Sequence, residues 1–294
     1  MKKLLLSAAL LSLALPLAAL AETRYRSVDF PGAANTALYA LNDLDHLVGA
    51  EKDAAGAHHA IVDRGRGLTL LDPDGPVGRA AQSWAFSINR RDDVAGAYID
   101  AAGASHGYVC HADGRVETID MPGGFDTQAY GVNDRGDLIG LFNDVAGMTH
   151  AFVRRAGQYQ SADLAGAIST TPLSINDAGQ IAGDYVATPD TTGYGYIAPP
   201  DGTFTLYSAP GAPPESTYFI SINNAHAVLG TWIDADFNPH NFVRDHGRDR
   251  PFDLPARFGA TAVWAQTLND PGDIVGYYFD AGGVAHGFLA TRGR

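Results

Sequence analysis

The feature that most limits how this chain can fold is a self-similarity with a period of roughly 45 residues. An asparagine recurs at Asn42, Asn89, Asn133, Asn176, Asn223 and Asn269, at spacings of 47, 44, 43, 47 and 46. Seven residues beyond each stands a glycine: Gly49, Gly96, Gly140, Gly183, Gly230 and Gly276. Seventeen beyond five of them stands a histidine (His59, His106, His150, His240, His286), and eleven beyond the same five an aspartate (Asp53, Asp100, Asp144, Asp234, Asp280). The fourth copy departs, offering Tyr194 one residue late. Offsets held this well mean that one supersecondary unit is repeated six times, each copy too small to bury its apolar face alone.

Each unit reads as four short strands. In the third copy, Gln128 to Asn133 ends one strand, and Asn133-Asp134-Arg135-Gly136 is a turn, because Asn and Asp bond their own backbone and Gly tolerates positive φ. Asp137 to Phe142 is a second strand, Asp144-Val145-Ala146-Gly147 a second turn, and His150 to Val153 and Tyr159 to Asp163 the last two strands. Glycine inside every second strand predicts close backbone approach between packed sheets. The last copy stops after three strands, at Thr291, while Tyr25 to Ala33 is an orphan that matches the fourth strands of other copies, notably Val116 to Gly124. An N-terminal strand completing the C-terminal sheet closes a ring and hides its edges. A linear stack would instead carry distinct caps. The expected fold is all-β: a six-bladed β-propeller of four-stranded antiparallel blades.

The triplet His150-Ala151-Phe152, with its variants His106-Gly107-Tyr108 and His286-Gly287-Phe288, resembles the HAF-repeat family of extracellular bacterial repeat proteins. The resemblance runs through the Asn-Asp-x-Gly turn and the central glycine over nearly the whole repeat region, with copies four and five departing from the triplet. It implies an extracellular repeat protein and supplies no catalytic residues.

Lys2 and Lys3, the apolar run Leu4 to Leu20 and the small residues before Glu22 have the three-part pattern of a signal peptide over residues 1–21, leaving 22–294 as one domain that is secreted or periplasmic. No later run is long enough for a membrane span. Removing the two lysines takes the net charge from −13 to −15, which argues against a nucleic-acid partner, whose phosphates demand clustered Lys and Arg. The single cysteine, Cys110, permits no internal disulfide and reads as an inert, half-buried thiol.

Histidines that recur once per blade serve the blade, each expected to bond the aspartate six residues before it or nearby backbone. The asparagines serve the turns. No metal site is assigned. The Asn-Asp turns lack the alternating aspartates and terminal glutamate of a calcium loop, and calcium at one or two of them is the only cofactor left open. Function is then sought where the copies differ. Five residues before each asparagine stand Ala37, Trp84, Gln128, Thr171, Tyr218 and Trp264. Placed on an innermost strand, Trp84, Gln128, Tyr218 and Trp264 would ring the channel mouth as a ligand platform suited to a glycan or another cell-surface component. Tyr39, Phe86 and Tyr130, three before the asparagine, are assigned to the core between blades. The rival readings are a lyase or hydrolase built on the off-register His58, His111, His226 and Asp236, and a plain scaffold for protein contacts.

Overall fold

Strand alternation is visible in blade 3. Its strands Phe125–Val132, Leu138–Asn143, Thr149–Arg155 and Gln158–Ser161 form an antiparallel meander. The computed structural model describes residues 23–71, 80–188 and 193–293; the expected signal peptide lies outside them. Six such four-stranded sheets are present. Five contain four consecutive strands. The sixth takes its first three from Ala262–Leu268, Ile274–Phe279 and Ala285–Thr291 and its outer one from Arg24–Val28, which pairs antiparallel with Arg24 opposite Thr291 and Val28 opposite Gly287. The ring is closed by the N-terminal strand. Among the described residues no helix is long and apolar enough to cross a membrane.

The repeated asparagine holds neighbouring blades together. Each carboxamide Oδ1 accepts backbone N–H groups of its own turn, as Asn133 does from Arg135 and Asp137. Each Nδ2 donates to the carbonyl of the next asparagine round the ring, at 2.9, 3.0, 3.1, 3.2, 3.0 and finally 3.2 Å from Asn269 back to Asn42. All six asparagines are buried, and six such bonds make a closed belt in which every polar group of the side chain has a partner. The turn's fourth position is left-handed in every blade: Gly136, Gly179 and Gly272 in three, but Asp45, Asp92 and His226 in the others.

The repeated glycine answers to a contact inside the blade, not between sheets. A Cβ at Gly140 would lie 1.9 Å from the Gln128 carbonyl oxygen of the adjacent first strand and 2.8 Å from the Phe152 ring of the third. Glycine and aromatic are in register in five blades, Gly140 opposite Phe152 and Gly276 opposite Phe288 for example. The ring covers the bare backbone, and Phe152, Tyr108 and Phe288 are fully buried. The core is divided into clusters that straddle adjacent blades, such as Tyr98 and Tyr108 of blade 2 with Val48 and Val62 of blade 1.

Candidate functional site

The first strand of each blade faces the axis. It carries a register shift just before its end, for example between Ala85 and Ser87, so one residue is inserted there and the side-chain alternation resets. The residue two before the asparagine is small because its side chain meets the next blade: the hydroxyls of Ser87, Ser174 and Ser221 accept the amides of Val132, Ile222 and Leu268 at 3.2, 3.2 and 3.3 Å. The residue three before it points into the channel. Tyr39, Phe86, Tyr130, Leu173, Ile220 and Gln266 line an axial cavity of about 380 Å3. The first three belong to this wall, not to the core between blades.

Those aromatics occupy one side only. Tyr277, Tyr39, Phe86 and Tyr130 follow one another round blades 6, 1, 2 and 3 with centroid separations of 6.3, 5.7 and 5.1 Å, an edge-and-tilt arrangement favoured by the ring quadrupoles. Burial raises the phenol pKa of Tyr39, and less so of Tyr130 and Tyr277, so all three stay protonated donors at neutral pH. Leu173, Ile220 and Gln266 make the opposite wall.

At the bottom of the channel, the residue after each asparagine adds a second belt. The amides of Arg90, Asp134, Asp177, Asn224 and Asp270 donate to the side-chain oxygens of Asp134, Asp177, Asn224, Asp270 and Asp43 at 2.7–2.9 Å. The break falls at Arg90, which has no acceptor and instead places its guanidinium 3.6 Å from Asp43. Burial, with added repulsion from Asp270, raises the Asp43 carboxyl above its usual range, and burial with Asp177 does the same for Asp134.

Of the four mouth residues read from the sequence, only Trp84 lines the axial cavity, its ring tilted 33° against His58 at a centroid distance of 5.4 Å. Gln128 accepts the Tyr130 hydroxyl at 2.8 Å. Tyr218 and Trp264 stand on the first strands of blades 5 and 6, opposite Thr231 and Trp264's partner Tyr277. Gln128, Tyr218 and Trp264 are not among the residues that line that cavity. The off-register residues do not meet. His58 is at the top of blade 1, His111 bonds Asp93 at 2.8 Å, His226 bonds Gln180 at 2.6 Å at the bottom of the ring, and Asp236 is in a top turn of blade 5. Among the described residues no group of three or more His, Cys, Asp or Glu is placed to hold a metal ion. Cys110 is buried, which raises its thiol pKa; native protein should resist alkylation by iodoacetamide and react on unfolding in urea, as mass spectrometry would record.

On the top face the in-register histidines sit in clamps. Nε2 of each faces the aspartate six residues earlier, at 3.4, 3.6, 3.3, 2.9 and 3.5 Å in blades 1, 2, 3, 5 and 6. In four of these blades an aromatic from the second strand stacks on the imidazole: Tyr98, Phe142, Trp232 and Tyr278. In blades 2, 3 and 6 the Nδ1 side is held as well, by Asp120, Asp163 and Asp29 of the outer strand at 2.9, 2.8 and 3.1 Å. In blade 3 the hydrogen bond from Asp163, with Asp144 on the other nitrogen, raises the His150 pKa.

One carboxylate near the channel is out of place. Asp184 is buried, opposite Thr171, and burial pushes its pKa up to about 6. Its folded pKa exceeds the unfolded value, so native protein binds more protons between about pH 4 and 6 and stability falls as pH rises through that window. Asp184→Asn should remove this slope and raise stability above pH 6.5 by about 3 kcal/mol, checked by urea melts of both proteins from pH 4 to 8.

No protein-family model matches the chain, and no curated protein matches it. Solved structures do. A variant of AofleA from Arthrobotrys oligospora aligns with TM-score 0.53 at 15% identity over 91% of this chain and 86% of that one. A mutant Aleuria aurantia lectin in complex with Fucα1-6GlcNAc aligns with TM-score 0.51 at 12% identity over 90% and 93%. TolB from Acinetobacter baumannii aligns with TM-score 0.54 at 12% identity over 86% and 65%. The chain is a six-bladed β-propeller; at such identities the likeness is one of fold.

Proposed function

We propose that this chain is an exported binding module, with residues 1–21 as its signal peptide, that takes a saccharide in the top half of its channel. The observation that supports the reading is the one-sided aromatic wall of Tyr39, Phe86 and Tyr130, with Trp84 above it. A sugar ring offers an apolar C–H face to such a wall and a rim of hydroxyls to the phenols. The fucoside complex of the Aleuria lectin, on the same fold, supports the same ligand class.

The test is a glycan array probed with the intact protein, followed by calorimetry with Trp84→Ala and Phe86→Ala. The expected result is a defined glycan whose affinity falls at least about tenfold in each variant, some 1.4 kcal/mol. An array without a hit, or a hit indifferent to both substitutions, overturns the reading.

A further inference from the structure

Blade 5 has the parts of the top-face clamp but does not close it. Continuing the register past its last pair, Asn241 with Phe252, sets His240 against Asp253, as continuing Gly107–Ile119, Phe152–Ser161 and Gly287–Val28 sets His106, His150 and His286 against Asp120, Asp163 and Asp29. Its Nε2 faces Asp234 at 2.9 Å, and Trp232 stacks on it more closely than any counterpart, at 4.0 Å and 16°. Yet no described residue bonds Nδ1. The Oδ1 of Asp253 accepts instead the amide of the next residue, Leu254, at 2.8 Å.

The cause is one residue in the following blade. In blades 6, 2, 3 and 4 the amide after the outer-strand position is taken by a hydroxyl six residues before the next repeat asparagine. Phe30, Met121, Leu164 and Ala209 donate to Thr36, Thr127, Thr170 and Thr217 at 2.9, 3.0, 3.1 and 3.0 Å. Before Asn269 that position is Val263. Valine offers no acceptor, so the Leu254 amide turns to the nearest one, its neighbour's carboxylate. Asp253 is thereby withdrawn from His240, which is the most exposed of these histidines at 44%, against 17%, 36% and 28% in blades 2, 3 and 6. The withdrawal coincides with a cleft of about 790 Å3, larger than the axial cavity and lined by Trp232, His240, Asp253 and Val263 among others.

We propose that this blade-5 cleft is a second saccharide site, in which a sugar hydroxyl bridges His240 Nδ1 and the Asp253 carboxylate beside the Trp232 indole. The gap selects the ligand's chemistry. With Nε2–H committed to Asp234, Nδ1 presents a lone pair when the ring is neutral and an N–H when it is charged. One hydroxyl accepts from Nδ1–H and donates its proton to the carboxylate, and where Nδ1 presents its lone pair two adjacent hydroxyls of the same sugar donate one to each, whereas an anionic group would meet Asp253 with like charge. A volume of several hundred cubic ångströms suits a small oligosaccharide. The site is independent of the channel reading, because the two share no residue.

The test follows the three tryptophan indole N–H signals of 15N-labelled protein, assigned by Trp→Phe variants, while methyl α-L-fucopyranoside, methyl β-D-galactopyranoside and methyl α-D-mannopyranoside are added in turn. The expected result is a saturable shift of the Trp232 signal with at least one glycoside. Asp253→Ala, at an exposed position, should weaken it at least about tenfold. Val263→Thr, which gives Leu254 back its acceptor and lets Asp253 close on His240, should do the same with the fold intact. A Trp232 signal unmoved by all three glycosides overturns the proposal, as does one that moves equally in both variants. A shift confined to Trp84 leaves the channel reading standing and this one fallen; a shift confined to Trp232 does the reverse.

Discussion

Gly140→Val lowers the unfolding free energy by more than about 3 kcal/mol, the upper range for overpacking a core. The first side-chain atom alone would sit 1.9 Å from the Gln128 carbonyl oxygen, and the valine methyls would meet the Phe152 ring. Neither neighbour can give way. The carbonyl belongs to the first strand, which is fixed by its pairing with Leu141 and Gly140 and by the Asn133 belt at its end. The ring is fully buried across the interface. Gly103→Val supplies the control: it has φ +88 and nothing within 4 Å of its would-be Cβ, so it bears only left-handed backbone strain, about 1–2 kcal/mol. Thermal melts should separate the two by several degrees, since about 1 kcal/mol shifts Tm by roughly 2–4 °C in a chain of this size. Equal melting temperatures would mean that the repeated glycine answers to turn geometry and not to contact.

The repeat told most of this because its offsets are contacts. Asparagine recurs since each one bonds the next blade's asparagine, and glycine recurs since each faces a first-strand carbonyl, an aromatic ring or both. The channel was harder to read. Counting back by twos from Ile88, a regular strand puts Phe86 on the same buried face; the residue inserted between Ala85 and Ser87 turns Phe86 toward the axis instead. Nothing in the letters Ala-Phe-Ser-Ile marks a bulge, so Tyr39, Phe86 and Tyr130 looked like core. The blade-5 cleft did leave a trace. Thr36, Ser83, Thr127, Thr170, Thr217 and Val263 stand six before the asparagines, and only the last lacks a hydroxyl. A repeat shows its working part where one copy drops a group that the others need.

Deleting Arg24–Val28 should cost at least about 10 °C in Tm and convert the protein to oligomers. The ring has two closures of different kinds. The inner one is the belt at the axis, where Asn269 donates to Asn42 and the Asp270 amide to Asp43 at 3.2 and 2.9 Å. The outer one is the N-terminal strand on blade 6, five residues paired from Arg24 to Val28, with Val28 buried beside Leu289 and Leu38, and with Asp29 on His286 next to it. Deletion leaves the inner belt intact and exposes the edge of Ala285–Thr291, a strand whose Phe288, Leu289 and Ala290 are buried. Blade 6 should therefore loosen first while blades 2 to 4 keep their protection, a gradient that hydrogen exchange resolves. A synthetic peptide of residues 23–34 should restore both Tm and the oligomeric state of the intact chain by adding back the missing strand in trans. A truncated protein that keeps the oligomeric state of the intact chain and melts within about 3 °C of it would mean that the belt at the axis closes the ring alone.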